Sequence, residues 1–193
     1  MGAVQPLRGS AAGAGAGWPL RGSGVASVAP VPDADLAALI ATLEDQEREL
    51  VFTHFDHDDA WALGCRLVGL ARERGLGVTV DIRKHGQQVF HAALAGTAPD
   101  NDVWVERKVR TVDRFGASSF LVGRRMAAAG KVFDADSGLE PSRYAAHGGC
   151  FPVRVAGVGP VGTVTVSGLP QADDHALVVE AIRAHLADVP SNP

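Results

Sequence analysis

Two runs of alternating side chains, each turned back at glycine, constrain this chain most. Val78, Val80 and Ile82 alternate with Thr79, Asp81 and Arg83; the run breaks at Lys84-His85-Gly86 and resumes through Phe90, Ala92 and Leu94. Period-two alternation interrupted by a short turn is the pattern of a β-hairpin with one face buried. The pattern recurs further on. Phe151, Val153 and Val155 lead to Gly157-Val158-Gly159-Pro160, and the run Val161 to Val166 follows. Two hairpins commit the chain to a mostly antiparallel sheet, and the remaining elements must cover it.

Those elements read as helices. Leu36, Leu39, Ile40, Leu43 and Leu50 recur at helical spacing behind Asp33 and Asp35, either of which can cap. A short strand is expected over Leu50 to His54. Asp56-His57-Asp58-Asp59 then opens a second helix, with Trp61, Leu63, Leu67, Val68 and Leu70 expected on its buried side and Gly75 and Gly77 ending it. Asp100 is expected to cap a helix carrying Val103, Trp104, Val112 and Phe115, which Gly116 ends. Ser118 or Ser119 caps the next, through Phe120, Leu121 and Met126. Residues 130–149 read as loop, apart from one helical turn at Pro141 to Tyr144. After the second hairpin, Pro170, Asp173 and Asp174 open a final helix with Leu177, Val178, Ala181, Ile182 and Leu186 inside. The order α-β-α-β-β-α-α-β-β-α, with five strands, is that of an α+β domain.

This domain is expected over 33–188, between an Ala/Gly-rich tail over 1–32 and a flexible end over 189–193. The tail holds too few large apolar groups to offset its ordering entropy. Its composition is also that of translated upstream sequence in a GC-rich gene. It has no uninterrupted apolar block of a secretory signal, and Pro6 breaks the myristoylation pattern. No apolar run approaches the roughly 20 residues of a membrane span. Net charge is -4, and Arg8 and Arg21 in the tail leave sixteen basic and twenty-two acidic residues elsewhere. Such a balance argues against nucleic acid or an anionic membrane as partner. Cys65 and Cys150 lack zinc or redox spacing and read as free thiols, so a cytoplasmic protein is expected.

Four segments carry residues suited to chemistry. His54-Phe55-Asp56-His57-Asp58-Asp59 has the side chains of a divalent-metal site, and equally those of an acid-dressed helix start. Asp100-Asn101-Asp102 with Trp104, Glu106, Arg107 and Lys108 offers acid/base groups, or a capped helix with solvated ion pairs. In His147-Gly148-Gly149-Cys150-Phe151-Pro152, two glycines let the backbone approach something closely or turn tightly. His147 there suits haem iron or a metal, while Cys150 has no local activating pattern. In Ser167-Gly168-Leu169-Pro170-Gln171-Ala172-Asp173-Asp174-His175, a helix start presents amides to an anion but its two acids repel phosphate. Asp174 beside His175 is a candidate oriented base. Walker, dinucleotide, H-E-x-x-H and G-x-S-x-G patterns are absent from the sequence, and no complete catalytic constellation is visible.

The segments FDHDDAWALG, VTVDIRKHGQQVFHAALAGTAPDNDVWVERK, SSFLVGRRM, YAAHGGCFPV and GPVGTVTVSGLPQADDH, in that order, resemble the haem-degrading domain-containing family related to the PduO C-terminal domain, GlcG and HbpS. The resemblance runs from about Leu36 to Leu186. It implies an α-β-α sandwich around a five-stranded, mostly antiparallel, profilin-like sheet. It also implies homo-oligomers and binding of haem or a related tetrapyrrole, with slow haem degradation as the attendant activity. His147 and His175 lie in the best-matching motifs and are the expected haem or metal ligands on chemical grounds, with Phe151 and Trp104 as walls. The resemblance also allows a non-enzymatic oligomeric module that docks protein partners. A third reading is a hydrolase or isomerase using Asp174 and His175.

Overall fold

Local signals place most elements where the pattern expects them. The computed structural model describes residues 33–188; the expected tail and flexible end lie outside the described residues. The chain runs α1 (Asp33–Glu49), β1 (Val51–Phe52), α2 (His57–Glu73), β2 (Thr79–Lys84), β3 (Gln87–Ala93), α3 (Pro99–Phe115), α4 (Ser119–Ala128), α5 (Phe133–Asp136), β4 (Cys150–Val155), β5 (Gly159–Ser167) and α6 (Gln171–Asp188). Asp56 caps α2 by accepting from the Asp58 and Asp59 amides, while Asp59 Oδ2 accepts from the Asp56 amide at 2.8 Å, a complete capping box. Of the two candidate serines, Ser118 caps α4 through Leu121. The Ser119 hydroxyl instead bonds the Cys150 backbone.

The five strands form one sheet in the order β1-β4-β5-β2-β3. Only the β1–β4 pair is parallel; the others are antiparallel. On one face Val80, Ile82, Phe151, Val153, Val164 and Val166 pack with Leu63 and Leu67 of α2 and Val178 and Ile182 of α6 as the main core. α3 covers the other face through Val105, Val109 and Val112 over Cys150. The layers are therefore α-β-α, as expected.

Three expectations are corrected. The first hairpin strand is not half-buried: Thr79 and Asp81 are as inaccessible as Val80 and Ile82, because α3 closes the second face. That face is polar. Thr79, Asp81 and Arg83 of β2 stand opposite Ser167, Thr165 and Thr163 of β5. The buried Asp81 carboxylate is met by Arg83 Nε at 2.8 Å and by the Gln88 amide. Second, Trp61 is 64% exposed, because it leans edge-on against Phe90 of β3, the outermost strand of the sheet among the described residues. Third, Asp100 does not cap α3. The helix starts earlier, with Ala98 at the N-cap and Pro99 first in the helix; Asn101 accepts back from the Ala98 amide at 2.8 Å, and Asp100 accepts from Trp104 Nε1 at 3.1 Å. Residues 130–149 also hold the short helix α5 besides the expected turn, where the Tyr144 amide donates to Glu140 O.

Candidate ligand-binding site

α3 carries Asn101, Trp104 and Lys108 along one side, at the three- and four-residue spacing that aligns side chains on a helix. This side passes the point where β5 ends and α6 begins. Between them lies a cleft of about 240 Å³, lined by these residues together with His147, Ser167, Gly168, Gln171 and Asp174.

Its floor is a buried ion pair. Lys108 is 3% exposed and Asp174 2%. Lys108 Nζ donates to Asp174 Oδ2 at 2.8 Å and to Val166 O at 3.0 Å. Asp174 Oδ1 accepts from the Leu169 amide at 3.0 Å. Burial raises the Asp174 pKa and the Lys108 ammonium pulls it back. An ion pair this deep needs further hydrogen bonds to each partner, and Val166 O on the ammonium and the Leu169 amide on the carboxylate supply one to each. Lys108, expected among solvated ion pairs, is the floor of the cleft because it lies on the same stripe of α3 as Val105, Val109 and Val112. That i, i+3, i+4 spacing was the available signal for its burial.

The glycine pair after His147 is explained by the same pair of charges. A Cβ on Gly148 would lie 1.9 Å from Gln171 O; one on Gly149, at φ +117°, would meet Val166 O at 2.4 Å and Lys108 Nζ at 2.7 Å. The backbone therefore comes within contact of α6 and the ammonium, and only glycine fits.

His147 stands at the rim, exposed, its ring edge-on to Trp104 at a centroid distance of 5.2 Å. It also lines a second cleft of about 330 Å³ with Arg124, Ala127, Lys131, Val132, Phe133 and Asp134. Desolvation by the surrounding protein lowers its pKa. Asp134 opposes that, and Lys108, Arg107 and Arg124 reinforce it, so the imidazole is neutral at neutral pH.

The other sequence candidates fall elsewhere. His175 is buried between Phe120 and Phe151, with Nε2 2.9 Å from Gln46 Oε1 of α1, and it lines neither cleft. Phe151 is fully buried in the main core. Asp174 is held by Lys108 and His175 by Gln46, so the two do not act as an oriented acid–base pair. Cys150 is enclosed under α3, and burial pushes its thiol up to about 12, which leaves it no thiolate for chemistry. Trp104 and His147 are the expected site residues that the structure brings together.

Burial holds the His175 pKa down to about 4. The unfolded chain binds this proton with an ordinary pKa, so the folded state loses stability as pH falls from about 6.5 towards 4. The expected loss is about 3 kcal/mol across that window. Urea unfolding at stepped pH, comparing wild type with His175→Gln, reads it. An identical pH slope in both proteins refutes the assignment.

A family model described as "Haem degrading protein HbpS-like" matches residues 55–183. The chain belongs to the HbpS-like family. Its relatives include a UPF0303 protein of Streptomyces coelicolor, 59% identical over 155 residues, covering 80% of this chain and 98% of the relative. Among solved structures, the crystal structure of Ybr137w superposes with a TM-score of 0.72 at 30% identity, over 77% of this chain and 88% of that one. A crystal structure of a PduOC–haem complex gives 0.58 at 18% identity, over 67% and 94%, which is a likeness of fold.

In this HbpS-like chain, no group of three or more His, Cys, Asp or Glu side chains converges to hold a metal ion among the described residues. Of the two histidines expected as haem or metal ligands, His175 has its Nε2 on Gln46 Oε1, whereas His147 lines both clefts. In the His54–Asp59 segment, Asp56 and Asp59 are taken up in capping α2. No helix among the described residues is long and apolar enough to cross a membrane.

Proposed function

We propose that this chain binds haem or a related tetrapyrrole with His147 as the axial ligand. The observation that carries the reading is His147 itself: an exposed, neutral imidazole beside Trp104, at the junction of two clefts. A neutral ring nitrogen is what haem iron takes as an axial ligand. Ala127, Val132 and Phe133 offer the macrocycle an apolar surface, and Val132 is 65% exposed. Family membership supports the same reading, as does the haem complex on this fold. Bound haem would supply a redox-active iron. The chain would bind the iron through His147, seat the ring against Trp104 and Val132, and keep the imidazole unprotonated. Self-association belongs to this proposal: β3 is an open sheet edge with the exposed Trp61 beside it, a surface that a second copy would cover.

Haemin titration followed by absorbance tests it, with subunit number read by light scattering on the same sample. The expected result is saturable binding, one haem per subunit, with a shifted Soret band that His147→Ala abolishes and His175→Gln leaves in place. A band unchanged in wild type, or equally shifted in His147→Ala, overturns His147 as the ligand.

A further inference from the structure

Two guanidiniums lie close enough to His147 to lower its pKa, and neither has a salt-bridge partner among the described residues. Arg107 lies over the Trp104 ring at 4.2 Å, and Arg124 lies over the Phe120 ring at 5.3 Å. The Nε atom of each is buried with no hydrogen-bond partner among the described residues. Several other arginines are paired with acids: Arg74 grips Glu180, Arg83 holds Asp81 and Glu106, Arg125 meets Glu44, and Arg154 meets Glu47. In the second cleft Arg124 and Lys131 outnumber the single carboxylate, Asp134. Stacking on an aromatic ring fixes the plane of a guanidinium and presents its outer nitrogens as a fork suited to a carboxylate.

We propose that Arg107 and Arg124 form a two-point oxyanion clamp about His147 that selects planar ligands bearing two carboxylates, such as the paired propionates of a porphyrin. The clamp rests on the proposed tetrapyrrole site but does not need the iron. His147 would hold the metal, and the arginines would hold the acidic edge. Partial burial leaves the arginines short of water, so a carboxylate arriving there replaces solvation they already lack.

The test separates the two contributions with metal-free protoporphyrin IX and its dimethyl ester, read by porphyrin fluorescence anisotropy on the full chain, beside haemin read by absorbance. The diacid is expected to bind about tenfold or more tighter than the ester. Adding salt narrows that gap, and Arg107→Leu with Arg124→Leu closes it. The paired Arg→Lys variant retains part of it, which excludes simple misfolding as the cause. His147→Ala is expected to keep diacid binding while losing the haemin Soret shift. Equal affinity for diacid and ester in wild type overturns the clamp even when haemin still shifts its Soret band. Preference for the diacid without any Soret shift sustains the clamp and overturns His147 as axial ligand. If neither porphyrin binds, both readings fall.

Discussion

Lys108→Met is expected to lower the stability of the folded chain by about 3–5 kcal/mol, the cost of leaving one buried charge unpaired. For a domain of this size that is a fall in Tm of roughly 10 °C or more. The reason is geometric. Lys108 Nζ is the only side-chain donor that Asp174 has among the described residues, and it also ties Val166 at the end of β5. Without the ammonium, the Asp174 carboxylate keeps the Leu169 amide and nothing that neutralises it. Its pKa, already raised by burial, then rises further. A carboxyl with a raised folded pKa binds its proton more readily in the folded state, so the folded state loses stability as pH climbs through that pKa. The deficit of Lys108→Met is therefore expected to be smaller near about pH 5 than near about pH 8. A double variant, Lys108→Met with Asp174→Leu, removes both charges and is expected to recover much of the loss. Urea unfolding of the four proteins at both pH values measures the coupling. Additive losses from the two single changes would show that the pair is not a unit.

Gly149→Ala is expected to be at least as damaging, at about 4 kcal/mol or more. Its φ of +117° is strained for any side chain, and the new Cβ meets a backbone carbonyl, the Lys108 ammonium and Asp174 Cβ within 2.8 Å. None of these can step aside without opening the ion pair or the β4–β5 register, in which the Val166 amide donates to Gly149 O at 2.7 Å. The same change displaces the segment that presents His147, so porphyrin binding is expected to fall with stability. Gly69→Ala is the control. It lies inside α2 with nothing within 4 Å of the new Cβ, and alanine there is expected to stabilise by roughly 0.5–1 kcal/mol. Thermal unfolding distinguishes the two positions, and a Gly149→Ala protein with wild-type Tm and porphyrin affinity would refute this account of the motif.

The alternation at Val78 to Leu94 and at Phe151 to Val166 made both hairpins legible, and helical spacing made the long helices so. Both periods are local properties of the backbone, readable without knowing the partner surfaces. The N-terminus of α2 was legible for the same reason, since a capping box spans only four residues. Trp61 was misplaced because its apolar character speaks of burial in general, while its exposure follows from β3 being the last strand of the sheet.

At the candidate site the division is similar. His147 and Trp104 were visible as residue types with suitable chemistry, and the glycine pair marked a close approach of backbone. What is approached was not visible, because Lys108 and Asp174 are sixty-six residues apart and meet only when α3 crosses the start of α6. His175 looked as suitable as His147 by motif, yet α1 supplies Gln46 and buries the ring. Arg107 and Arg124 were unremarkable charges until the fold set each on an aromatic ring with its Nε unpartnered among the described residues. The sequence by itself determined the element types, the antiparallel hairpins and the repertoire of reactive side chains, because these depend on short-range sterics and periodicity. The tertiary structure alone decided which charges are buried, which histidine reaches a cleft and which arginines stack on aromatic rings, because those depend on what distant segments place beside each residue.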